Sequence, residues 1–138
     1  MKKFIDMSDT RAAVIPLNTS TQSGAWTTIP INATGYGRAQ FTFIIGTPSA
    51  AGSIYASIWN ASTSGATFTS IAGAALAQVS SGIGSQVVAT IDTVLSSASP
   101  WLIVSGGTST YWPVAVVCDL YDSATHVQAA TPQQIVVV

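Results

Sequence analysis

With 138 residues, the chain is long enough for one domain with its own hydrophobic core, so no disulfide or metal is needed to hold it. Charged residues make up only 7% of it and glutamate is absent, against about a quarter charged in an ordinary soluble domain. A net charge of −1 excludes a basic face for nucleic acid or anionic membrane, and no apolar run approaches the length of a membrane span.

The start, Met1-Lys2-Lys3-Phe4-Ile5, has the charged opening of a signal peptide, but Asp6, Asp9 and Arg11 interrupt any apolar segment, so none is expected. Residues 1–10 read as an arm, and residues 11–138 as a single β-sandwich domain. Helix formers are scarce, while Val, Ile, Thr, Ser and aromatics dominate, with turn residues recurring every 8 to 12 positions. The first strand is expected over 11–17, with Ala13, Ile15 and Leu17 on one face. A second runs over 26–31, where Pro30 marks an edge or a bend. Residues 32–37 form a turn, and 40–46 read as a fully buried strand. Residues 53–60 alternate, with Ile54, Ala56 and Ile58 facing one way and Tyr55 and Trp59 the other.

Residues 62–65 are a turn and 67–71 a short strand. The Ala-rich stretch 72–79 fits one helical turn or another strand equally well. Residues 80–85 read as a loop. A strand over 86–91 turns Val87, Ala89 and Ile91 inward. After a turn at 96–100 and a strand at 101–104, Gly106-Gly107-Thr108-Ser109 has the composition of a hairpin turn. The longest strand is expected over 111–121, with Val114, Val116, Cys118 and Leu120 on one face. Ile135-Val136-Val137-Val138 is wholly apolar and is expected to be covered on both faces by a sheet or a second subunit.

Residues able to do chemistry are few. There are five aspartates, and only Asp119 and Asp122 lie close in sequence, where they read as solvated residues at a strand end. His126 is the sole histidine, and no Gly-x-Ser-x-Gly elbow supports a Ser-His-Asp triad built on it. One His and one Cys do not make a zinc site, and Cys118 reads as a buried small hydrophobe. Ser81-Gly82-Ile83-Gly84-Ser85 lacks the Gly-Lys-Ser/Thr of a phosphate loop. Asn18, Asn32 and Asn60 all stand in Asn-x-Ser/Thr sequons and read as turn residues. Tyr36, Tyr55, Trp59, Trp101, Tyr111 and Trp112 could form a sugar-binding platform, although large rings in a small β-domain more often serve a core or a subunit interface. No catalytic residue, cofactor or metal is expected, and the chain does not read as an enzyme.

The order of segments carries a resemblance. A first strand is followed by Asn32-Ala33-Thr34-Gly35-Tyr36 leading into the strand from Phe41 to Gly46. Next come Ile54 to Asn60, Ser64-Gly65-Ala66-Thr67-Phe68-Thr69-Ser70-Ile71, and last a strand from Tyr111 to Leu120 with a small-residue tail. This resembles a loose family of small virion proteins encoded beside the major capsid gene in tailed phages and prophages. Members of that family carry more acidic residues in the middle segment than this chain does.

The strand bias and turn spacing are expected to give an antiparallel β-sandwich or jelly-roll-like domain, made in a reducing host cytoplasm, and the resemblance implies a place on the phage head surface or a related coat position. It would decorate or cement the head, with the major capsid protein as partner and the chain associating with itself as a homotrimer, the 1–10 arm docking. No nucleic acid or membrane partner is expected. The rival expectation is a tail- or fibre-associated module that binds host-surface glycans.

Overall fold

A computed structural model describes residues 9–13, 24–47, 51–80, 87–110 and 113–123. They form nine strands: β1 (Asp9–Ala13), β2 (Gly24–Thr27), β3 (Ile31–Asn32), β4 (Tyr36–Ile45), β5 (Ser53–Ala61), β6 (Thr69–Ser80), β7 (Val87–Val94), β8 (Trp101–Thr108) and β9 (Val114–Ser123). The described residues contain no helix.

The strands pair as a nested set. β5 pairs with β6, β4 with β7, β2 and β3 with β8, and β1 with β9, every ladder antiparallel. The chain therefore runs out and back as one long ribbon whose tip is the β5–β6 connection. Rolling that ribbon up adds two more ladders, β4 on β9 and β5 on β8. The outcome is two packed sheets, one ordered β1-β9-β4-β7 and the other β2-β8-β5-β6, with β3 beside β8. This is a jelly roll, the architecture in which a folded-over antiparallel ribbon buries one face of each sheet against the other.

The core lies between the sheets and is built by period-two alternation. β4 contributes Ala39, Phe41, Phe43 and Ile45, β9 contributes Val116, Cys118 and Leu120, and β7 adds Ile91. From the opposite sheet come Ile54, Ala56 and Ile58 of β5 and Leu102 and Val104 of β8. Each large side chain shielded here contributes about 1.5–3 kcal/mol relative to exposure. The inward faces expected for residues 53–60 and for Val116, Cys118 and Leu120 are the observed ones.

Several expectations need correction. Residues 40–46 are not fully buried: β4 begins at Tyr36, and Ile44 is 42% exposed, because the sheet meets the core on one side only. The undecided stretch 72–79 belongs to β6, which spans 12 residues and is longer than β9. Its register against β5 shifts twice, and Gly73 sits there with φ +77°, a bulge that an Ala-rich sequence does not advertise. β1 starts at Asp9, so it takes in two residues assigned to the arm.

The expected hairpin turn at 106–109 is absent. Gly106, Gly107 and Thr108 lie inside β8, paired with β2 on one side and β5 on the other. The strand expected over 26–31 is two pieces, β2 and β3, separated at the edge or bend that Pro30 signals. The ladder stops at Thr27 and resumes at Ile31, and the buried Thr28 bridges the gap. Its N–H donates to the Val104 carbonyl at 2.9 Å, and its hydroxyl accepts from the Val104 N–H at 3.0 Å. Residues 1–8 and 124–138, including His126 and the 135–138 segment, lie outside the described residues, as do Asn18, the 81–85 loop, Tyr111 and Trp112.

Candidate functional site

The two sheets turn very different chemistry outward. Every charged residue of the described strands lies in the β1-β9-β4-β7 sheet. Arg38 of β4, Asp92 of β7 and Asp119 and Asp122 of β9 lie outside the core between the sheets, while Asp9 and Arg11 belong to the edge strand β1. The five strands of the other sheet contain none.

On the first sheet, register sets the outward residues in rows across β7, β4 and β9. One row is Val94, Arg38 and Tyr121; the next is Asp92, Gln40 and Asp119. Then come Thr90, Thr42 and Val117, and finally Val88, Ile44 and Ala115. The ionisable side chains thus gather at one end of the face, beside the exposed Val94, and the row at the other end is wholly apolar. At the apolar end Val88 is 65% and Ile44 42% exposed.

The charged end is a closed cluster. Arg38 Nη2 lies 3.0 Å from Asp92 Oδ2, and Arg38 Nε donates to the Tyr121 hydroxyl at 2.9 Å. That hydroxyl in turn donates to Asp92 Oδ2 at 2.6 Å, and the guanidinium carbon stands 5.8 Å from the Tyr121 ring centroid. The hydrogen bond from Tyr121 holds the Asp92 carboxyl below the usual carboxylate range; partial burial opposes this and Arg38 adds to it. The same bond pushes the Tyr121 phenol up, and the bond to Asp92 pushes the Arg38 guanidinium up. These contacts tie β4, β7 and β9 together across the outer face.

The second sheet carries rings and hydroxyls. Tyr55, Ser57 and Trp59 follow one another on the outward side of β5, opposite Gly107, Ser105 and Ile103 of β8. Trp101 lies two positions beyond Ile103, opposite Ala61. The glycine misread as a turn residue explains the posture of Tyr55. A Cβ on Gly107 would stand 2.5 Å from the Tyr55 hydroxyl oxygen, 2.7 Å from Cζ and 3.0 Å from Cε1, so the ring lies down over Gly107. Tyr55 is nevertheless 55% exposed, so the other side of the ring faces solvent. Trp59 also leans along the strand: its indole N–H donates to Ser57 Oγ at 2.7 Å, and that hydroxyl donates to the Ser105 carbonyl at 3.4 Å. On the core side, Gly106 makes room for the ring of Trp26.

Of the six aromatics named from sequence, the structure brings Tyr55, Trp59 and Trp101 onto one face, while Tyr36 packs against the core. Cys118 is buried in the core. Asp119 sits in the row with Gln40, and Asp122 is exposed with φ 59°, a left-handed conformation fitted against Gly37. Asn32 makes the expected turn, its Oδ1 accepting from the Thr34 N–H at 3.0 Å. Asn60 is a correction, since it lies within β5 with the Thr69 hydroxyl donating to it at 3.4 Å. Sequence reasoning missed Arg38, Asp92 and Tyr121 as a group; only the outward parity of each within its own strand was available to find them. Among the described residues, no three His, Cys, Asp or Glu side chains stand close enough to hold a metal, and no helix is long and apolar enough to cross a membrane.

No family model matches the chain, and no curated protein matches it in sequence. Its fold is similar to that of a chain in the structure of infectious bursal disease virus, Gx strain, with a TM-score of 0.52 at 9% identity. The match covers 88% of this chain and 32% of that one. A second similarity, TM-score 0.49 and 9% identity, is to the Clostridium thermocellum endo-1,4-beta-D-xylanase 10B CBM22-1–GH10 modules complexed with xylohexaose, covering 90% of this chain and 27% of that one. The chain spans about a third or less of each of these structures, and at 9% identity what it shares with the first is the fold, an all-β sandwich of jelly-roll type.

Proposed function

We propose that this chain is a non-catalytic structural protein of a tailed-phage virion, one that attaches to the assembled head as a trimer and cements or decorates it. The observation that carries the reading is the row Val88, Ile44 and Ala115, an apolar strip left exposed across three strands. Exposed apolar residues in register on a rigid sheet are what a protein partner covers. Contact with the major capsid protein there would favour the assembled shell, because a ligand that binds only the assembled state shifts the equilibrium toward it. The jelly-roll architecture, widely used in viral coats, supports the reading without deciding it. Low charge supports it too, since hydroxyl-rich surface costs less to desolvate than charged surface.

The test is co-sedimentation with intact virions, with the protein then located on head or tail by antibody labelling and its stoichiometry measured by sedimentation. Head-bound trimers are expected. A stable monomer absent from purified virions refutes the reading, and a tail location moves the chain to the tail-module alternative.

A further inference from the structure

We infer that the outer face of the β2-β8-β5-β6 sheet is a binding site for an uncharged cell-surface polysaccharide, with Tyr55, Trp59 and Trp101 as its stacking platform. This goes beyond attachment to a shell and uses the opposite face of the sandwich.

Three features point to that ligand chemistry. The first is alignment. Tyr55 and Trp59 are four residues apart on one strand, about 13 Å at the usual rise, and both point outward. Trp101 is the diagonal cross-strand neighbour of Trp59, about 7–8 Å farther on. The three rings thus make a file along the strand direction, with the span of a short oligosaccharide rather than of a single small molecule.

The second feature is posture. Here Tyr55 is laid flat on Gly107, and Trp59 is drawn along the strand by its bond to Ser57. A flat ring offers its π face outward, which suits the apolar C–H face of a pyranose. Gly107 is what allows it, since any side chain there would lift the Tyr55 ring.

The third feature is charge. With no ionisable side chain in this sheet other than Tyr55 itself, the face has nothing to pair with a uronate, sulfate or phosphate group, and no cost of leaving a charge unpaired under a neutral chain. The exposed Asn32 and Thr27, at the β3 and β2 edge, offer amide and hydroxyl groups for sugar hydroxyls. A proteinaceous occupant would leave those groups and the flat rings less well matched than a neutral glycan does.

The experiment uses the full chain and follows tryptophan fluorescence. It is titrated with neutral oligosaccharides of glucose, galactose, mannose and N-acetylglucosamine, with polysialic acid and heparin as charged controls. At least one neutral series is expected to shift the emission and the charged controls are not. Tyr55→Ala and Trp59→Ala should each weaken binding roughly tenfold while leaving thermal melting near the parent's. Gly107→Ala, which keeps every ring but lifts Tyr55, should weaken it as well. The inference is overturned if no neutral series binds, if binding survives Tyr55→Ala and Trp59→Ala together, or if Tyr55→Asp instead abolishes self-association, which would make this face an interface between copies. Virion attachment is read separately, so either idea can fail without the other.

Discussion

Adjacent glycines in β8 should respond in opposite ways to the same substitution. At Gly106 an added Cβ would stand 2.5 Å from the Tyr55 carbonyl oxygen and 2.6 and 2.9 Å from Cζ2 and Cη2 of Trp26. The first of these is backbone in a central ladder and has nowhere to go; the second is a ring packed against the core. Overpacking of this kind costs about 1–3 kcal/mol, and a backbone contact places it at the upper end. Alanine restricts the unfolded chain and returns about 0.4–1 kcal/mol. Gly106→Ala should therefore destabilise by about 2 kcal/mol or more. At Gly107 all three near atoms belong to the outer end of the Tyr55 side chain, which is free to swing into solvent. The same entropic gain then stands nearly alone, and Gly107→Ala should be as stable as the parent or up to about 1 kcal/mol more stable. Urea unfolding of the two variants, compared at equal m-value, measures both numbers. Equal effects at the two positions, or a Gly106→Ala variant as stable as the parent, would refute the account of why these glycines are in the strand.

Ile44→Asp and Val88→Asp should leave thermal melting within a few degrees of the parent, since both side chains are exposed, yet reduce recovery with virions in co-sedimentation. Asp92 has a lowered pKa and Tyr121 a raised one, so their mutual contribution is intact between about pH 4 and pH 10, fading below that window as Asp92 is protonated and above it as Tyr121 ionises. Tyr121→Phe should flatten the pH dependence of melting at both ends, with a loss under about 1 kcal/mol at neutral pH because the groups are solvated. Deleting residues 1–8 spares β1 and should weaken head attachment with unchanged melting, whereas deleting residues 1–13 bares the β9 edge and should lower solubility. Deleting residues 135–138 should cost several kcal/mol or break the oligomer, because Ile and Val side chains contribute about 1.5–3 kcal/mol each when covered; unchanged melting and sizing would show a loose tail.

What the sequence made legible was whatever depends on the nearest two or four residues. The inward sets Ile54, Ala56, Ile58 and Val116, Cys118, Leu120 follow from side-chain alternation, which needs no knowledge of the partner strand. The bend at Pro30 follows from its missing N–H. Gly106 and Gly107 failed for the complementary reason. Two glycines in a row signal a turn locally, but their cause here is Trp26 on one neighbouring strand and Tyr55 on the other. The Arg38, Asp92 and Tyr121 cluster is hidden in the same way, its two ends being 83 residues apart. The aromatic face was half legible: alternation turned Tyr55 and Trp59 the same way, while adding Trp101 and setting aside Tyr36 required the β5–β8 register.

A sheet without charges faces a problem that its partner does not, because open edges invite pairing with other chains and lysine is the usual deterrent. The β2-β8-β5-β6 sheet solves it with backbone. Among the described residues its β2 edge is four residues long, and Pro30 separates it from the two-residue β3, so they offer no long ladder there. At the opposite edge, the register of β6 shifts twice, once between Leu76 and Val79 and once around Gly73, which bends and twists the strand away from a flat template. These devices cost no charge on the outer face, which is left neutral from Trp101 to Tyr55. The other sheet keeps its ionisable groups at one end of its outer face and its apolar strip at the other. The charged face and the neutral face are thereby separated by the thickness of the core, so the shell contact proposed for one and the neutral glycan inferred for the other would not compete for the same surface.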